Sequence, residues 1–111
     1  MAKTGKYWQR GETIDYWNAT EAEIPAGTVL KIGKHIGVVG TEIPANGKGS
    51  VHMMGVFEIE KKSKTVLAVG DAVKFDDENG IDKDTDGTAT VGYAVQASGA
   101  DEPTAFVKLL G

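Results

Sequence analysis

The stretch Gly55-Val56-Phe57-Glu58-Ile59-Glu60-Lys61 alternates apolar and acidic residues, with Phe57 and Ile59 facing one way and Glu58 and Glu60 the other. Successive side chains of a strand point to opposite faces, so a period of two predicts a strand with one buried face. The same period recurs on the C-terminal side. Val73 and Phe75 oppose Ala72 and Lys74. Ala89, Val91, Tyr93 and Val95 oppose Thr88, Thr90, Gly92, Ala94 and Gln96, and Ala105, Val107 and Leu109 oppose Thr104, Phe106 and Lys108. Gly, Asn or Asp bounds each run, as at strand ends. The single helix-like window, Ala19-Thr20-Glu21-Ala22-Glu23, stops at Ile24-Pro25 and has room for one helical turn at most. The expected fold is all-β, a small antiparallel β-barrel or sandwich of short strands joined by Gly-rich turns.

Composition agrees with that outline. The 111 residues suffice for one domain, and 41% apolar with 25% charged residues is ordinary for a folded globular chain. Fifteen glycines against three prolines, spread from Gly5 to Gly111, punctuate the chain into turns. A net charge of −4 argues against a general polyanion-binding surface, so no nucleic-acid partner is expected. No apolar run approaches a membrane span and no hydrophobic leader is visible, so neither membrane partner nor export is expected. With no cysteine there can be no disulfide, thiolate metal site or cysteine nucleophile. The sequon Asn18-Ala19-Thr20 reads as an accident of composition.

A short pattern echoes along the chain. Glu23-Ile24-Pro25-Ala26-Gly27 leads into Thr28 to Ile32, and Glu42-Ile43-Pro44-Ala45-Asn46-Gly47 precedes the strand region from Ser50. A looser copy, Ala68-Val69-Gly70-Asp71, leads into Ala72 to Phe75. A small-residue turn with a residue at positive φ reverses the chain and feeds a new strand. Ordinary turn chemistry accounts for the echo without a duplication, and its spacing is too uneven for a solenoid.

Chemical motifs are sparse. Asp82-Lys83-Asp84-Thr85-Asp86-Gly87 matches the first half of a calcium loop, so Asp82, Asp84 and Asp86 form a weak metal candidate. Position twelve of that loop is Tyr93 instead of a bidentate Glu, and no helix flanks it, so a solvated hairpin tip beside the Asp76–Gly80 turn is the simpler reading and no cofactor is expected. Gly47-Lys48-Gly49-Ser50 lacks the first glycine and the following helix of a phosphate loop. His35 and His52 fall in separate strands, and none of Ser50, Ser63 and Ser98 sits in a nucleophile elbow. No catalytic residue is assigned and no enzyme is expected.

The N-terminal segment is richer. Tyr7, Trp8, Tyr16 and Trp17 are half of the eight aromatics, and Lys3, Lys6 and Arg10 accompany them with no acid before Glu12. Aromatics flanked by Arg or Lys dominate interface energies. Residues 1–10 lack strand alternation and are expected to form an extended arm, with 11–111 a single β domain. The candidate partner-contact set is Lys3, Lys6, Tyr7, Trp8, Arg10, Tyr16 and Trp17.

Taken in order, the signatures Gly11-Glu12-Thr13-Ile14, Ile24-Pro25-Ala26-Gly27-Thr28-Val29, Ile43-Pro44-Ala45-Asn46-Gly47, Gly55 to Lys61, Gly70-Asp71-Ala72-Val73-Lys74-Phe75 and Gly92-Tyr93-Ala94-Val95 make the chain resemble the capsid cement, or decoration, proteins of tailed bacteriophages and prophages. Lys74-Phe75 departs from the aromatic pair frequent in that family and touches only local packing. The resemblance implies a β-rich structural protein, made in the bacterial host cytoplasm and located on the virion. It would bind the major capsid protein on the outer face of the head as a homo-oligomer, a trimer in preference to a dimer. The alternative from another class is a small-molecule or carbohydrate-binding β-barrel module, which needs an apolar pocket with convergent polar groups.

Overall fold

A computed structural model describes residues 2–111; Met1, the first residue of the expected arm, lies outside the described residues. Among the described residues the chain forms nine strands and no helix: β1 (Thr13–Asn18), β2 (Val29–Ile32), β3 (His35–Val39), β4 (Gly47–His52), β5 (Met54–Glu60), β6 (Ala72–Asp76), β7 (Gly80–Lys83), β8 (Gly92–Ala94) and β9 (Thr104–Leu110). They make two antiparallel sheets, one ordered β1-β4-β3-β2 and the other β5-β9-β8-β6-β7. Met53 alone separates β4 from β5 and so joins the sheets. The window 19–23, expected to hold at most one helical turn, bends without one.

The alternation at Phe57 and Ile59 reads correctly. Ile59 is buried, Phe57 packs on the core, and Glu58 and Glu60 are exposed. Ala105, Val107 and Leu109 are wholly buried on the facing strand. Each such Val, Leu or Ile contributes about 1.5–3 kcal/mol by leaving water. The strand expected over 88–96 shrinks to β8, and its faces are reversed. Gly92 and Ala94 point inward and Tyr93 points out. The reason is crowding: a Cβ on Gly92 would collide with the Lys108 carbonyl, so only a bare backbone crosses β9 there. The second sheet curls until Lys61, just past β5, bridges Ile81 of β7 in parallel, with the Lys62 N–H donating to the Ile81 carbonyl at 2.8 Å. It stops short of a closed barrel, and the whole is a sandwich-like body 46 × 41 × 19 Å in extent.

The echo marks a repeated topology. Matching β1, β2, β3 and β4 with β5, β6, β8 and β9 makes the two sheet orders identical, β7 being an added hairpin strand. The turn pattern occurs four times, and its copies pair. Ile24 and Ile43 exchange two backbone hydrogen bonds of 2.9 Å, as do Leu67 and Ser98. Each copy closes a four-residue turn, with Thr28, Gly47, Asp71 and Glu102 donating to the carbonyls of Pro25, Pro44, Ala68 and Gly99. Gly27, Asn46 and Gly70 take the positive φ such turns favour at their third position.

Equivalent polar anchors stand at equivalent places. Asn18 is buried at the end of β1, its Nδ2 donating to the carbonyls of Ala22 (2.8 Å) and Pro44 (3.1 Å) while its Oδ1 accepts from Thr20 Oγ1 at 2.6 Å. Lys61, its counterpart after β5, donates from Nζ to the carbonyls of Thr65 and Gly99 and to Ser98 Oγ, all at 2.6 Å. Burying a polar group is costly without partners, so each anchor fixes its loops in one arrangement. Asn18 and Thr20 thus have a structural role, the exposed Thr20 hydroxyl donating to the buried Asn18 side chain.

Candidate functional site

Residues 2–10 are exposed throughout and take no regular structure. Their sequence supplies no apolar alternation to bury, and Gly11, at φ +81°, turns the chain away from β1. The arm is rooted where the sheets meet, the Met53 N–H donating to the Glu12 carbonyl at 2.8 Å. Tyr7 and Trp8 are 79% and 82% exposed. Arg10 forms an ion pair with Glu12 at 3.0 Å, exposed to solvent and therefore weak. Lys3 and Lys6 stand beside the aromatics in water.

The fold divides the rest of the candidate set. Tyr16 and Trp17 are neighbours in β1 and so lie on opposite faces. Tyr16 turns in and packs with Ile14 against the core of the first sheet. Trp17 turns out opposite Lys48, 58% exposed, roughly 13 Å along the strand from Thr13. Of the candidate set, the residues in 2–10 and Trp17 are exposed, while Tyr16 is a packing residue.

The Asp82–Gly87 carboxylates do not converge. Asp82 belongs to β7, pairs with Lys74, and accepts from the Lys83 N–H at 2.8 Å. Asp84 is buried, with Oδ2 accepting from Thr90 Oγ1 at 2.5 Å and Ala89 N at 3.2 Å while Oδ1 has no partner. Asp86 accepts from Thr88 Oγ1 at 3.0 Å, and hydrogen bonds donated by Thr88, the hydroxyl first and then the N–H, hold its carboxyl below the usual range. The ladder carries Asp82 away from the others, straightening what a calcium loop must curl. The histidines are likewise dispersed: His35 is exposed on β3, and His52 of β4 lies 6.2 Å from the Phe57 ring.

Sequence reasoning missed an apolar patch on the outer face of the second sheet. Met54 pairs with Leu110, and Val56 and Tyr93 flank Lys108 on either side. All four apolar residues are exposed, and Lys108 Nζ lies 5.9 Å from the Tyr93 ring centre, within cation–π reach. Phe106 adds a half-buried ring to the same face. Val56 and Phe106 are out of phase with the buried residues of their own strands, which was the available signal; register across three strands makes them a patch. An open cleft of about 650 Å³ lies between the Gly27 turn and the β6–β7 hairpin, bordered by Glu58, Glu60, Asp77 and Glu78. The interior of the second sheet is filled by Val73, Ile81, Val107 and Leu109.

The profile of the phage cement proteins matches residues 8–109. This chain belongs to that family. As a cement protein it is a structural component associated with the phage head, and capsid decoration is its role. Among solved structures it resembles the head fiber gp8.5 N base of bacteriophage phi29 at 12% identity and a TM-score of 0.48, over 87% of this chain and 93% of that one. No curated protein matches the sequence.

Proposed function

We propose that this cement protein reinforces the head by gripping neighbouring subunits of the major capsid protein with the arm 1–10, assisted by Trp17, from a stiff β body. The observation that carries this is a run of nine consecutive exposed residues, 2–10, with three cations, two aromatics and no acid. Such a segment has no use for its aromatics until a partner buries them, and Tyr, Trp and Arg are the residues that gain most from that. Nine extended residues reach at most about 30 Å, beyond the 19 Å thickness of the body. Contacts on several subunits multiply through effective concentration, so each can be individually weak. The body spends little entropy on docking because its strands are already ordered. The protein acts as a homo-oligomer, a trimer in preference to a dimer, made in the host cytoplasm and working without catalysis, nucleic acid or membrane.

Deleting residues 2–10 is expected to abolish decoration of undecorated heads in a pull-down while the β body keeps its circular dichroism and cooperative melting. Full-strength decoration by the truncated protein would refute the arm.

A further inference from the structure

The repeated topology shows what covers an inner sheet face in this fold. In the second half, the inner face is closed from outside by Val29, Ile36 and Val38, which stand on the outer face of the first sheet. The first half has the same inner face, with Val39 and Val51 at its centre, but no third sheet lies over it. The paired Ile24 and Ile43 turns lie over its centre, where Val39 and Val51 are buried, while Ile14, Tyr16, Leu30 and Ile32 around them remain half-buried. The counterpart of the covering surface is the outer face of the second sheet. There Tyr93 occupies the place of Val38, and the exposed Met54, Val56 and Leu110 lie beside it.

We propose that the outer face of the second sheet of one copy covers the inner face of the first sheet of the next, repeating between molecules the contact that joins the halves within one. The occupant is a second copy of this chain, because the internal interface already pairs these two kinds of face. Two different faces meet, so the contact is heterologous, and it either closes a ring or grows a fibre. A ring of three satisfies every such face and agrees with the trimer above. The contact uses neither the arm nor Trp17, so it stands or falls apart from the capsid grip.

The test is complementation between two full-length variants, Val56→Glu on the covering face and Ile32→Glu on the covered one, with mass read by light scattering after size exclusion. Wild-type protein is expected to form a closed oligomer. Each variant alone is expected to run as a monomer, its apparent dissociation constant raised at least tenfold. An equimolar mixture is expected to form heterodimers, because one intact pair of faces survives between the two. A monomeric wild type at hundreds of micromolar, an oligomer untouched by Val56→Glu, or a mixture that stays monomeric would each overturn the proposal. Should Ile32→Glu fail to fold, hydrogen exchange decides. Amide protection in β1 and β2 must rise with concentration in the wild type and not in Val56→Glu, which alters only an exposed side chain. Deletion of 2–10 must leave the oligomer intact.

Discussion

The two halves share one plan and differ in how completely they execute it. The second half encloses eleven buried apolar residues, two of them, Ile36 and Val38, lent by the first half; the first half keeps four for itself. Hairpin strand β7 adds Ile81 to the second core and has no counterpart in the first. The anchors differ in the same sense, a charged Lys61 with three acceptors against a neutral Asn18. A repeated unit can therefore keep its topology while its core thins, provided that turns or a neighbour cover what the missing residues leave bare. The second half holds the larger core, and the first carries the exposed residues 2–10, Trp17 and the half-buried rim of its inner face.

Equivalent glycines give the sharpest contrast. Gly37 and Gly92 occupy matching positions on β3 and β8. A Cβ on Gly92 meets the Lys108 backbone, which cannot move without breaking the β8–β9 ladder, whereas one on Gly37 meets chiefly the side chains of Val51 and Met53. Gly92→Ala is expected to cost about 3 kcal/mol or more and Gly37→Ala about 1–2 kcal/mol, read from denaturant midpoints. Equal losses would show that the cores are equally tight.

The anchors come next. Lys61→Ala removes three charge-assisted hydrogen bonds, the one to Ser98 Oγ buried and the other two partly so, a cost of about 3 kcal/mol. Asn18→Ala removes neutral bonds and is expected to cost about 2 kcal/mol. A larger loss at Asn18 would reverse the ranking of the two halves.

The smallest effect is electrostatic. Pairing of the Ile24 and Ile43 turns sets Glu42 beside Glu23, and a hydrogen bond that protonated Glu42 donates to that neighbour, then the neighbour's like charge, raises the Glu42 carboxyl above its ordinary value. A group raised on folding adds stability below its unfolded pKa and loses that contribution as pH rises through its folded one. Glu42→Gln is thus expected to raise Tm slightly at pH 7 and to remove the decline in stability just above pH 4.5. The matching residues of the second half, Val66 and Ala97, are uncharged, so Val66→Gln should leave the pH profile unchanged.

Much of this was legible in the sequence where side chains announce their face. Phe57 and Ile59, or Val107 and Leu109, alternate with polar neighbours and declare a strand. β8 is silent because its inward residues, Gly92 and Ala94, were chosen for closeness and not for burial, and that pressure comes from β9. Three of the four turns were visible through Gly27, Asn46 and Gly70. The fourth, at Gly99, places its glycine elsewhere, and the added β7 hairpin stretches the spacing, so the repeat read as coincidence. The exposed stretch 2–10, proposed above as an arm, stands out in the sequence because its cations and aromatics lie in consecutive residues. The separation of Tyr16 from Trp17 follows once β1 is known to be a strand. The outer apolar patch was hidden because Met54, Tyr93 and Leu110 come from three strands that only register brings together.

Asn18 has a practical corollary for anyone who would display cargo on this scaffold from animal or yeast cells. Oligosaccharide is transferred to a nascent chain before it folds, and the Nδ2 that would receive the sugar is the atom that must later reach the Ala22 and Pro44 carbonyls inside the body. A glycan there would prop the first turn pair open, and the secreted product would leave the cell half assembled. Thr20→Val erases the acceptor signal but also deletes the hydroxyl that Asn18 Oδ1 leans on, so bacterial production is the simpler remedy.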